Sequence, residues 1–197
     1  MRYAEQGHAK AHLKLGMLYY DADKNVAAVQ SFMRAAELGD ADAQYTLGCA
    51  YHHGDGVPAN KAAAVEWFHK AADQGHASAH YSIGCAYYHG DGLPVNKDSA
   101  VEWFHKAAEL DDAEAQDTLG LLYSSGACVP LDTAAAVEWF RKAADQGHAS
   151  AQYNLGCVYY NGEGVPVNKE MAAEWYRKAA EQGDAKAQYS LGLLLRS

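Results

Sequence analysis

Ala41-Asp42-Ala43-Gln44-Tyr45-Thr46-Leu47-Gly48-Cys49-Ala50-Tyr51, followed by Gly54-Asp55-Gly56-Val57-Pro58 and by a stripe of Ala64, Trp67, Phe68, Ala71 and Ala72, decides the fold. In the first stretch Ala43, Leu47, Gly48 and Tyr51 fall at helical spacing and predict one packed face. The stripe follows the i, i+3, i+4, i+7, i+8 pattern of an amphipathic helix. Asn60 stands where that helix needs an N-cap, and Gly75 where it needs a left-handed C′ residue. Between the two helices, paired glycines allow positive φ and Pro58 blocks helix continuation, so the link is a fixed turn.

The same passage returns along the chain. Trp67, Trp103, Trp139 and Trp175 are 36 residues apart. Gly48, Gly84, Gly120, Gly156 and Gly192 keep that period, as do Pro58, Pro94, Pro130 and Pro166. Three residue types holding one period mark a repeat architecture. N-cap equivalents fall at Asn96, Asp132 and Asn168, and C′ equivalents at Gly147 and Gly183. A mid-helix glycine costs about 1 kcal/mol relative to alanine. Its return in every unit predicts a close neighbour where a Cβ would sit. A lone helix pair cannot cover its own Trp and Phe, so the pairs are expected to stack, with both aromatics in the core.

The pattern Ala-x-Ala-Gln-Tyr-x-Leu-Gly-x-x-Tyr, Gly-x-Gly-Val-Pro, Ala-x-x-Trp-Phe-x-Lys-Ala-Ala-x-x-Gly resembles the Sel-one-like repeat family, a relative of the tetratricopeptide repeats. It covers nearly the whole chain. The resemblance implies a right-handed superhelical α/α solenoid of about five helix-turn-helix repeats plus a final single helix. One domain is expected over residues 1–197, with units near 8–40, 41–76, 77–112, 113–148 and 149–184 and a partial unit at 185–197. The family also implies adaptor or scaffold roles, in signalling, membrane-protein quality control and bacterial contacts with hosts.

The first unit departs from the pattern. It is four residues shorter between Gly16 and Gly39, lacks the Gly-x-Gly-Val-Pro turn and has Ser31 in place of Trp. Arg2 through Gly7 resembles the tail of a second helix, by comparison with Lys178 through Gly183. The chain stops at Ser197 inside a first helix, with Leu193, Leu194 and Leu195 lacking a partner helix. Either a longer array or association of copies through the array ends follows from this reading.

Composition narrows the function. Hydrophobic residues are 49% and charged residues 21% of the 197, an ordinary globular balance with no apolar run long enough for a membrane span. Met1-Arg2-Tyr3-Ala4-Glu5-Gln6 has no apolar signal core. A net charge of −9 disfavours nucleic acid and leaves a basic peptide as a partner. Cys49, Cys85 and Cys157 follow the periodic glycines, and equivalent first helices of adjacent repeats are expected about 8–10 Å apart, too distant for a disulfide. Some secreted relatives in the family carry cysteines paired within each unit. That pairing is absent here, so a reducing, cytoplasmic location is the expectation. Cys128, in place of a turn glycine, is a lone loop thiol.

No hydrolase elbow, phosphate loop or Ser-x-x-Lys motif appears, and no enzyme or cofactor is expected. His52, His53 and His89 could meet at the ends of first helices and offer imidazoles to zinc, yet no acidic partner accompanies them. No metal site is assigned. His69 and His105 align with Arg141 and Arg177, which suggests exposed polar positions.

By analogy with tetratricopeptide arrays, first helices line a concave groove. Alignment on Gly48 turns Asp42, Tyr45, Cys49, His52 and His53 inward. The next unit contributes Ser78, Tyr81, Cys85, Tyr88 and His89. Glu114, Asp117, Leu121, Ser124 and Ser125 follow, then Ser150, Tyr153, Cys157, Tyr160 and Asn161. The expected partner-binding residues are Tyr45, His52, His53, Tyr81, Tyr88, His89, Glu114, Asp117, Tyr153 and Tyr160. Tyrosine rows on a rigid scaffold offer area and a hydroxyl at low entropy cost. The other reading is that Tyr45 and its equivalents pack between adjacent first helices. Asp117 with Glu114 makes an acidic spot expected to pair with a ligand Lys or Arg, at no cost in stability when replaced. The protein thus reads as a non-catalytic scaffold binding a protein or peptide. The alternatives are a module self-assembling through its ends, or a metal- or small-molecule-binding protein.

Overall fold

The computed structural model describes residues 2–196, with side chains from residue 7 onward. Among these residues there are eleven α-helices and no strand. They come as pairs: α1 (Arg2–Asp21) with α2 (Asn25–Glu37), α3 (Ala41–His53) with α4 (Lys61–Ala72), and α5 (Ala77–His89) with α6 (Lys97–Glu109). Then follow α7 (Ala113–Ser125) with α8 (Thr133–Asp145), α9 (Ala149–Asn161) with α10 (Lys169–Glu181), and α11 (Ala185–Leu194). The helices form two compact units, Met1–Leu110 and Asp111–Ser197. Inside each unit every pair packs on the next in tandem, α2 on α3 and α4 on α5 in one, α8 on α9 and α10 on α11 in the other. The solenoid of 36-residue repeats expected from the periodicity is the architecture found.

Local chemistry sets the boundaries. Asn60 Oδ1 accepts from the Ala63 amide at 3.1 Å, and Asn96, Asp132 and Asn168 cap their helices the same way. The turn is stapled to the preceding helix, because the Asn60 amide donates to the Tyr51 carbonyl at 2.7 Å and Asn96 to Tyr87 at 3.0 Å. First helices have their own caps: Asp40, Asp112 and Asp184 each accept from the amide three residues on.

The periodic glycine has a definite neighbour. A Cβ on Gly48 would lie 2.6 Å from the Phe68 ring and 3.2 Å from the Ala64 carbonyl oxygen, and Gly84 meets Phe104 in the same way. Gly120 meets Phe140, and Gly156 meets Tyr176. Each glycine thus lets the aromatic of its own repeat's second helix lie flat against the first. Phe68, Phe104 and Phe140 are buried. The tryptophans are not equally so. Trp67 and Trp103 are half-buried, packing one face on the preceding repeat. A lysine covers each ring, with Lys70 Nζ 3.6 Å from the Trp67 centroid and Lys106 4.2 Å from Trp103. Only the phenylalanine of the expected Trp–Phe core pair is fully interior in these repeats.

Polar ties join neighbouring pairs. Gln44 Nε2 donates to the Ala36 carbonyl and Gln74 Nε2 donates to Gln44 Oε1, at 3.1 and 2.8 Å. Gln152 and Gln182 repeat this arrangement on the Ala144 carbonyl. At the α4–α5 junction His80 stands in the glutamine's place and bonds within its own helix, to His76 O.

Helix α1 runs unbroken through Gly7, so Arg2–Gly7 is not the tail of a separate second helix. Met1 and Ser197, on which readings of the chain's ends also rest, lie outside the described residues. No helix of the described residues is long and apolar enough to cross a membrane.

Candidate functional site

Two clefts open between consecutive first helices of the first unit. One, of about 200 Å³, is lined by Met17, Tyr20, Asp21, Val29, Phe32, Thr46, Cys49, Ala50 and Asp55. The other, of about 170 Å³, is lined by Tyr45, Cys49, His52, His53, Val65, Phe68, Ser82, Cys85, Ala86 and Asp91. They are one site repeated. Val29 and Phe32 correspond to Val65 and Phe68, Thr46 to Ser82, Cys49 to Cys85, and Asp55 to Asp91.

Of the residues expected to bind a partner, Tyr45, His52 and His53 lie together in the second cleft. Tyr45 also packs: its ring stacks on His76 at 4.5 Å and tilts against Phe68 at 5.8 Å. Both readings of the tyrosine stripe therefore describe Tyr45, which is half-buried and still lines the cleft. Burial, and then the neighbouring His53, hold the His52 imidazole below its usual range, and the two rings meet edge-on at 4.8 Å. Tyr81 lies against Phe104 at 5.5 Å. Tyr88 contacts the His89 ring at 5.0 Å, and Lys97 lies 3.0 Å over the Tyr88 ring while donating to its carbonyl at 2.7 Å.

In the second unit Tyr153 packs on Tyr176 at 5.7 Å, whereas Tyr160 is 44% exposed. Glu114 is exposed and reaches His148 Nε2 at 3.1 Å. Asp117 departs from the expectation of a replaceable surface acid. It is buried, accepts from Asn154 Nδ2 at 2.8 Å and lies 3.9 Å from His148 Nδ1. Burial is the main cause that raises its carboxyl above the ordinary range, against the lowering effects of Asn154, His148 and Ser150.

The sign of the consequence follows from linkage. A carboxyl with a raised folded-state pKa favours folding while protonated, and that stability is lost as pH rises through the folded value. Asp117→Asn keeps an acceptor for Asn154 without the charge. It is expected to melt about 2–4 °C above the parent at neutral pH, the gain vanishing in acid below the ordinary aspartate range. Thermal melts at both pH values check this, and Asp117→Lys should melt lower because it buries a cation.

Three side chains of the site were not singled out from the sequence. His76 and His148 are helix N-caps, each Nδ1 accepting from an amide at 3.2 Å. Their signal was present: both occupy the repeat position of Asp40, Asp112 and Asp184. Lys61 donates to Asp91 at 2.6 Å and holds that carboxyl below its usual range. His69 and His105 are half-buried rather than exposed, and the His69 ring meets Trp103 edge-on at 5.4 Å.

The thiol of Cys49 lines both clefts. Burial raises the Cys49 thiol, with Asp55 adding to the effect, so it is held away from the nucleophilic thiolate. Among the described residues, no three or more His, Cys, Asp or Glu side chains gather closely enough to hold a metal ion.

Comparison with known proteins adds a family. Residues 41–76, 77–112, 113–148 and 149–184 each match the Sel1 repeat. A protective antigen of uropathogenic Escherichia coli displaying an SLR fold is 38% identical over 98% of this chain, with a TM-score of 0.86. The chain spans 42% of that antigen's length. A Sel1 repeat protein from Oxalobacter formigenes is 35% identical over 94% of this chain and 76% of its own, with a TM-score of 0.84. The cysteine rich protein B of Helicobacter pylori is 27% identical over 62% of this chain and 93% of its own, with a TM-score of 0.51. No curated protein matches the sequence.

Proposed function

The chain belongs to the Sel1 repeat family, and from that premise we propose that it is a non-catalytic scaffold binding a protein or peptide partner along its first helices. Proteins of this family are generally interaction scaffolds. The observation that carries the reading is the repeated cleft between neighbouring first helices, lined by side chains of Tyr20, Tyr45 and His52. Tyr88 and Tyr160 belong to the same face by register. A net charge of −9 supports a protein partner over nucleic acid. The four cysteines carry no disulfide, which supports a reducing compartment such as the cytoplasm.

Capture of partners on the immobilised protein tests this. Tyr88→Ala/Tyr160→Ala removes two aromatic anchors, and each anchor of an interface contributes more than about 1–2 kcal/mol. The pair is expected to release the partner held by the wild type while melting within a few degrees of it. Equal capture by both proteins would move the binding surface off the first helices.

A further inference from the structure

The two clefts differ in charge, although the repeat makes them equivalents. A Cβ on Gly56 would run into the Asn25 carbonyl oxygen, and one on Gly92 would lie 2.5 Å from that of Lys61. These matched contacts put Asn25 and Lys61 at the same point of successive repeats. Lys61 holds Asp91 at 2.6 Å and neutralises the acid of the second cleft. Asn25 carries no charge, so Asp55 of the first cleft has no equivalent of the Lys61 ion pair. Asp21 lines that cleft as well, and the rest of its wall is mostly apolar, from Met17, Val29 and Phe32. The first cleft thus joins an apolar wall to two carboxylates, neither in an ion pair of the kind Lys61 makes with Asp91. The second has a neutralised acid and imidazoles, beside Val65 and Phe68.

Resting on the scaffold reading above, we propose that the partner is an extended peptide with a Lys or Arg side chain in the first cleft and an apolar side chain, about three residues along, in the second. A Lys or Arg stem lies well on apolar wall while its charged end stays at a polar rim, where Asp55 and Asp21 stand. The spacing follows from the fold. Neighbouring helices pack about 8–10 Å apart, and extended chain covers about 3.3–3.6 Å per residue. An acidic peptide would meet Asp21 and Asp55 with like charge, and a purely apolar one would bury them unpaired.

The test is selection of peptides from a displayed random library by the full chain, followed by titration of one synthetic peptide so selected. The expected selection carries Lys or Arg three residues from Leu, Ile, Phe or Met. Asp55→Asn should weaken that peptide at least about tenfold and abolish the basic preference in a fresh selection. Glu66→Gln, at an exposed position of α4 that lines neither cleft, should leave both nearly unchanged. Affinity should also fall as salt is raised. Acidic or uncharged selections, or a peptide indifferent to Asp55→Asn, would overturn the assignment. Met17→Trp, which fills the first cleft from an exposed position, separates the two levels of the argument. Uncharged peptides displaced by Met17→Trp would leave the first-helix face as the binding surface and sink only the basic motif. No selected peptide, or binding untouched by Met17→Trp in a protein that melts normally, would overturn both.

Discussion

Phe104→Ala is expected to lower the unfolding free energy by about 3–5 kcal/mol, the cost of deleting a well-packed core aromatic. The ring is buried and lies across Gly84, with its edge atoms 2.6 Å from where a Cβ would be. Gly84→Ala alone brings two opposed effects. Alanine gains about 1 kcal/mol of helix propensity over glycine. Against this, a methyl group held that close to the ring, and 3.3 Å from the Ala100 carbonyl oxygen, forces repacking, which costs about 1–3 kcal/mol. The net sign should be destabilising. With Phe104 already removed, the obstacle is gone and the propensity gain remains. Gly84→Ala should therefore stabilise the Phe104→Ala protein by about 1 kcal/mol, a reversal of sign that urea titrations of the four proteins would read. If Gly84→Ala is as harmful without Phe104 as with it, the ring is not the reason for the glycine.

The second large effect lies in the turn. Gly92 has φ of +79°, and a Cβ there would lie 2.5 Å from the Lys61 carbonyl oxygen. Here both neighbours are backbone, so neither can swing aside. Gly92→Ala combines about 1–2 kcal/mol for left-handed backbone with a Cβ and the cost of parting two repeats where they touch. A total of about 3 kcal/mol or more is expected. Gly75 supplies the control. Its φ is +82°, yet a Cβ there would meet nothing within 4 Å, so Gly75→Ala should cost only the backbone part. Equal losses at the two positions would show that conformation alone, and not contact between repeats, governs the turn.

How far the sequence could be read depends on what each feature leans on. Helix pairing, the caps of second helices and the close approach at Gly48 all follow from local pattern repeated at one period. The features that escaped need three dimensions or an unusual residue choice. Lys61 and Asp91 are thirty residues apart and meet only once α3–α4 is stacked on α5. Imidazole caps are uncommon enough that His76 and His148 draw no notice until placed beside Asp40 and Asp112 in register. Asp117 fell on the stripe of Tyr45 and Tyr81, and position alone made it look exposed. Asn154, one repeat further on, turns it into an interior hydrogen-bond acceptor. Trp67 and Trp103 err the other way: bulk and apolarity suggest full burial, while a lysine one helical turn on covers the outer face instead.

The joint between repeats has a genealogical meaning. Gly56, Gly92 and Gly164 each rest on a main-chain carbonyl of the preceding pair, presented in turn by Asn25, Lys61 and Thr133. The receiving surface is mostly backbone, so its side chain matters little, and each unit with a glycine there brings both the piece that docks and the piece that receives, whereas Cys128 fills that place in the unit of α7 and α8. A duplicated or deleted stretch of one period therefore reconstitutes its own junctions without any compensating substitution. The array can lengthen or shorten in whole units, while the first-helix positions that face a partner diverge one by one, as His52, Tyr88 and Ser124 already have.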